Sequence, residues 1–97
     1  MRIQSFVWDD PDDEAGNVAH IERHGVFPDE VEEAMTSSPL VLRGRDGRYL
    51  GYGRMANGQF LFVVLVPKSQ GRVKPLTARP MTRAEKRLYQ AKQRTGR

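Results

Sequence analysis

The chain has no cysteine among its 97 residues, which excludes disulfide stapling and thiolate metal ligation and fits a reducing compartment. Long apolar runs are missing as well. The longest, Phe60 to Val66, falls far short of the roughly 20 residues that a membrane-crossing helix needs. Met1 leads directly into a strand-like segment, with no charged region followed by an apolar one. A cytoplasmic protein without membrane association is therefore expected. Acidic side chains are scarce in one half of the sequence: residues 43–97 hold fourteen Lys and Arg, with Asp46 and Glu85 as their only acids. Residues 1–42 reverse this, with ten acids and only Arg2 and Arg23 as bases. A formal net charge of +4 conceals the split. The basic half is expected to meet a polyanion, with RNA the leading expectation.

At this length the expectation is a single domain, residues 1–97, with little area for a second core or an enclosed pocket. Ile3 to Trp8 carries the β-branched and aromatic residues of a strand, which stops at Asp9-Asp10-Pro11. Asp10 as cap, Pro11 at the first position and the acids Asp12, Asp13 and Glu14 predict a helix over about 12–24, with Ala15, Val18 and Ile21 inward and Gly25 as a left-handed end. A second helix starts at Pro28-Asp29-Glu30, shows Val31, Ala34 and Met35 on one face, and ends at Ser37-Ser38-Pro39.

From Leu40 the period changes. Leu40 to Leu42, Tyr49 to Met55, Phe60 to Val66 and Arg72 to Arg79 read as four antiparallel strands, joined through Asp46-Gly47, Asn57-Gly58 and a polar loop. Phe60 to Val66 has no polar alternation and suits a central strand covered on both faces. Pro75 places an edge or a bulge in the fourth strand of this meander. Thr82-Arg83-Ala84-Glu85 is a capping box that opens a final helix with Ala84, Leu88 and Ala91 inward. The outer side of that helix is basic, and Thr95-Gly96-Arg97 are expected to fray. The fold class is α+β: a strand, two helices, a four-stranded antiparallel meander and a C-terminal helix.

His20 and His24, four apart on one helix, supply half of a zinc site, but no third ligand is evident, and histidines at a helix end are usually structural. No metal and no cofactor are expected. The acids from Asp9 to Glu14 run consecutively at a helix start, where the macrodipole accounts for them better than a carboxylate metal site does. The segment Arg43-Gly44-Arg45-Asp46-Gly47-Arg48 lacks the Lys-Ser/Thr of a P-loop and reads as a hairpin whose arginines either engage phosphates or simply solubilise. Alternation puts Leu50, Tyr52 and Arg54 on one face of the sheet. Tyr52 there can stack a base, and Arg54 needs an anion, either a ligand or one of the N-terminal acids. Lys74, Arg79 and Arg83 are candidates to line one basic surface.

The pieces Phe6-Val7-Trp8-Asp9, Asn17, His20-Ile21, Arg23-His24-Gly25-Val26, Leu61-Phe62-Val63-Val64, Thr77-Ala78-Arg79, Met81-Thr82-Arg83 and Glu85-Lys86-Arg87 with Tyr89 follow one another in an order that resembles the BrnT toxin family from residue 6 to 89. The resemblance implies a RelE-like ribonuclease toxin fold. It further implies the toxin component of a type II toxin–antitoxin module, a metal-independent endoribonuclease that cleaves RNA to inhibit translation and growth, and a hetero-oligomer with a BrnA-like antitoxin. In such an enzyme the RNA 2′-hydroxyl is the nucleophile. Arg54, Arg79 and Lys74 would neutralise the phosphorane, and Tyr89 or His24 would move a proton. Arg43, Arg45, Arg48, Tyr52, Arg83, Lys86 and Arg87 would bind RNA. The chain departs from the family in having Asp12-Asp13-Glu14 near a position where Lys is common, and in Pro75 and Pro80. Two other readings stand beside this one: a catalytically inactive RelE-like RNA- or antitoxin-binding protein of a repressor complex, and an interaction domain that grips an acidic partner.

Overall fold

In the computed structural model, which describes residues 2–95, the strands form one five-stranded sheet in the order β1-β5-β4-β3-β2. The elements are β1 (Ser5–Phe6), α1 (Asn17–Glu22), α2 (Pro28–Thr36), β2 (Leu40–Arg43), β3 (Tyr49–Arg54), β4 (Phe60–Pro67), β5 (Arg72–Pro80) and α3 (Arg83–Thr95). The strands β2 to β5 are the antiparallel meander expected from the sequence, and β1 joins β5 in parallel. The fraying expected at Gly96-Arg97 lies outside the described residues.

The apolar run of β4 is central and sends side chains both ways. Leu61, Val63 and Leu65 enter a core with Ile21, Val26, Val31, Met35 and Ala78 beneath α1 and α2. Phe62, with Phe60 and Val64 at its margin, faces the other way, into a second cluster with Tyr52, Met81 and Tyr89 under α3. On β3 the same alternation places Gly51 and Gly53 on the first side. A Cβ at Gly53 would collide with the backbone carbonyl of Ala34, so the missing side chain is what lets α2 lie against the sheet. Pro75 sits at a register break: Val64 pairs with Thr77 and Leu65 with Pro75, leaving Leu76 bulged out.

Besides the N-terminal strand, which is Ser5–Phe6 rather than Ile3 to Trp8, two expectations need correction. The first helix spans only Asn17–Glu22, not 12–24. The acids before it bind nearby backbone instead of capping a helix at Asp10: the Asp12 N–H donates to the Asp10 carboxylate (2.9 Å) and the Ala15 N–H to that of Asp13 (3.0 Å). Such local bonds compete with helix formation. The carboxylate that serves the true start is Asp9, which accepts the Asn17 N–H at 2.8 Å. Gly25 does end the turn after α1 in the left-handed region, at φ +77°.

The second correction concerns α3. Its capping box forms as expected, with the Thr82 N–H donating to Glu85 Oε1 (2.8 Å) and the Glu85 N–H to Thr82 Oγ1 (3.2 Å). Its inward face, however, is Glu85, Leu88 and Tyr89, while Ala84 and Ala91 are exposed. Tyr89 has far more apolar area to bury than either alanine, and this sets the rotation of the helix.

Asn17 pins the N-terminal segment to the sheet. It is 5 % exposed, its Nδ2 donates to the carbonyls of Val7 (3.0 Å) and Pro75 (2.8 Å), and its Oδ1 accepts the Asp9 N–H (2.9 Å). No helix of the described residues is long and apolar enough to cross a membrane.

Candidate nucleic-acid interface

Strand register builds the site. Tyr52 on β3, Phe62 on β4 and Arg79 on β5 are direct cross-strand partners, so they form one row across the sheet on the α3 side. The Tyr52 and Phe62 rings lie 5.3 Å apart, and the Arg79 guanidinium sits 4.4 Å over the centroid of Phe62. One step along β4, Phe60 is partnered by Arg54, whose guanidinium lies 5.4 Å over that ring. Residues two apart on one strand are roughly 6.6 Å apart on the same face. The two stacked arginines therefore stand over neighbouring rings.

Their partners differ. Arg79 donates to both oxygens of Glu85, from Nη1 at 2.8 Å and from Nη2 at 2.9 Å, and from Nη1 to the Pro80 carbonyl at 3.2 Å. Three of the five guanidinium N–H donors are thereby used, and two remain for a ligand. These bonds hold the Glu85 carboxyl below its ordinary pKa, and Glu85 raises that of Arg79. Burial, followed by the nearby Glu85 charge, pushes the Tyr52 phenol up, so it stays protonated well above neutral pH. Arg54 is exposed and is not in either of the two ion pairs of the described residues.

A second polar group lies along β5 beyond its short pairing with β1. Lys74 Nζ donates to the Asp9 carboxylate at 3.2 Å, and His20 Nε2 lies 3.0 Å from Thr77 Oγ1. A shallow recess of about 210 Å3 lies among Asp9, Asn17, His20 and Lys74. The Asn17 backbone N–H, then Lys74, holds the Asp9 carboxyl below its usual range. The internal salt bridge weighed for Arg54 is thus made by Lys74 instead. No group of three or more His, Asp or Glu is placed to hold a metal ion among the described residues.

The other residues singled out from the sequence fall in several places. Tyr89 is 7 % exposed, with its ring edge-on to Phe60 at 5.9 Å. His24 is exposed, and its ring meets that of His20 edge-on at 5.2 Å. Lys86 lies 5.5 Å over the Phe60 ring, and Arg83 and Arg87 are exposed on α3. Arg43 lies 6.0 Å from the Tyr49 ring, and Arg45 and Arg48 occupy the exposed β2–β3 turn. That turn is at the opposite end of β3 from Arg54, roughly 17 Å away along the strand. The basic half of the sequence is therefore divided between two ends of the sheet. Phe60, Phe62 and Asp9 are not among the site residues expected from the sequence, and Glu85 figures there in the capping box and the family resemblance without a role in the site. One signal for Glu85 was present: it is one of only two acids after residue 42.

No family model matches the chain, and no curated protein sequence matches it. Among solved structures it is similar to the crystal structure of the Brucella abortus ribonuclease toxin BrnT, with a TM-score of 0.61 and 17% identity over 81% of this chain and 97% of that one. The five-stranded sheet with its three helices thus has the BrnT-like toxin fold.

Proposed function

We propose that the chain is the toxin of a type II toxin–antitoxin module and acts as a metal-independent endoribonuclease. The observation that carries this reading is the Arg79–Glu85 pair, set at the edge of the Tyr52–Phe62 cluster on the α3 side of the sheet. The likeness in fold to a ribonuclease toxin supports it.

RNA brings its own nucleophile. The 2′-hydroxyl attacks the adjacent phosphorus, and the bond to the 5′-oxygen breaks. The free N–H groups of Arg79 bind the phosphate and neutralise charge growing on its oxygens. Glu85, kept ionised by Arg79, accepts the 2′-hydroxyl proton, and the protonated Tyr52 phenol donates to the departing oxygen. The products are a 2′,3′-cyclic phosphate and a 5′-hydroxyl. In this scheme Tyr89 shapes the site from within the core, and neither His20, which meets Thr77, nor the exposed His24 has a role. A BrnA-like antitoxin is the proposed partner, offering an acidic or aromatic-rich segment to the α3 side and abolishing cleavage when bound.

The test is purified protein with total RNA, with and without EDTA. EDTA-resistant cleavage, reduced about 100-fold or more in Arg79→Ala and in Glu85→Gln, is expected. Cleavage that stops with EDTA, or that survives in both variants, would sink the reading. One observation favours a second reading, a non-cleaving RNA- or antitoxin-binding protein: Glu85 also closes the α3 capping box, so its pair with Arg79 is explicable as a latch. In that case Glu85→Gln lowers the melting temperature and no RNA is cleaved by any form.

A further inference from the structure

Phe60 is a partition between two recesses. On one side, about 330 Å3 is enclosed by Val26, Glu30, Gln59, Met81 and Lys86. On the other, about 440 Å3 lies among Arg54, Tyr89, Gln90, Gln93 and Arg94. Both volumes fall at the low end of the roughly 300–1,000 Å3 typical of small-ligand sites. The ring is held edge-on by Tyr89, so little freedom is lost when something packs against it. Arg54 and Lys86 both lie over this ring, and the two ion pairs of the described residues include neither. Lys86 lines the first recess and Arg54 the second, so each recess carries a cation of its own for an anionic group.

From this geometry we infer that Phe60 is a wedge between two successive nucleotides of single-stranded RNA, one base entering each recess, with Arg54 and Lys86 holding the flanking phosphates. The subsite rests on the RNA reading above. It lies one strand step from the Arg79–Glu85 centre, so a strand running along β4 reaches both. Gln59 on one side and Gln90 on the other offer hydrogen-bonding edges to the bases, while Glu30 accepts the Phe27 N–H and Gln93 donates to the Ser38 carbonyl. A duplex, whose bases are already stacked and paired, does not fit the wedge.

The experiment measures binding of a short, labelled 2′-O-methyl single strand. That strand cannot be cleaved, so the result is independent of whether the protein is a nuclease. Phe60→Leu keeps an apolar side chain but no ring. Its fold is verified by circular dichroism, and Phe60→Tyr serves as the conservative control. Phe60→Leu is expected to weaken binding about tenfold, with Phe60→Tyr near parental affinity. On a strand with two adjacent abasic positions the Phe60→Leu loss should disappear. Arg54→Ala and Lys86→Ala should each lower the salt-dependence slope by about one. Parental affinity in folded Phe60→Leu would overturn the wedge, even if the two cation variants bind more weakly. Equal losses on normal and abasic strands would overturn it too. If Phe60→Leu leaves RNA binding intact but abolishes binding of a Glu-rich peptide of the same charge, the recesses belong to a protein segment and the proposal fails.

Discussion

The two sides of the sheet are built from different chemistry. Beneath α1 and α2 the contacts are mostly aliphatic, the helix approach depends on bare glycine, and one buried asparagine ties the N-terminal segment down. Under α3 a buried cluster of Tyr52, Phe62, Met81 and Tyr89 has the half-buried Phe60 at its margin, with three cations stacked on Phe60 and Phe62. Close-packed aliphatic side chains favour stability, whereas cations stacked on rings present positive charge to an anionic ligand. The first side serves the fold, and the second carries the proposed chemistry.

The sharpest way to break that division is Arg79→Ala. Cleavage should fall about 100- to 1,000-fold in a total-RNA assay. Stability measured by urea denaturation should change by roughly 1 kcal/mol or less, because the Arg79–Glu85 pair is partly solvated. A variant that unfolds instead would show that the α3 side also carries the fold.

Gly53→Ala should do the reverse. Its methyl group meets the Ala34 carbonyl, and overpacking of this kind costs about 3 kcal/mol. The loss should appear in the urea midpoint, with RNA cleavage per folded molecule unchanged. Asn17→Ala comes next, at about 2 kcal/mol, since the Val7 and Pro75 carbonyls and the Asp9 N–H lose their partner. Thermal melts would measure it, and a neutral result would mean that water replaces the amide.

Acid provides the smallest and most graded contrast. Asp9 and Glu85 both have lowered folded-state pKa values. Each therefore contributes stability that is complete above its unfolded pKa, near 4, and is lost as pH falls through the lower folded value. Melting temperature should drop below about pH 4. Asp9→Asn and Glu85→Gln should each flatten that decline, and only Glu85→Gln should also abolish cleavage.

The meander, its two Gly-containing turns, the capping box at Thr82 and Glu85, and the bulge at Pro75 were all legible because each depends on residues close in sequence. The start of α1 was not. Asp10 and Asp13 satisfy the helix-start pattern equally well by turning the chain locally, and the choice between the two outcomes depends on Asp9 and Asn17 meeting β5. The inward face of α3 was misread for a related reason: alanine and tyrosine are both compatible with a helical stripe, and only the aromatic cluster on the sheet selects Tyr89.

The sequence by itself determined the order of the elements and the separation of acidic from basic halves, since propensity, periodicity and turn chemistry act over a few residues. It pointed to Arg54 as the strand cation in need of an acid and grouped Lys74 with Arg79 on one basic surface. Tertiary structure decided that Lys74 meets Asp9, that Arg79 meets Glu85 over Phe62, and that Arg54 is stacked on Phe60 outside both ion pairs. An ion pair forms only between groups brought within a few ångströms, and strand register with helix docking sets that separation.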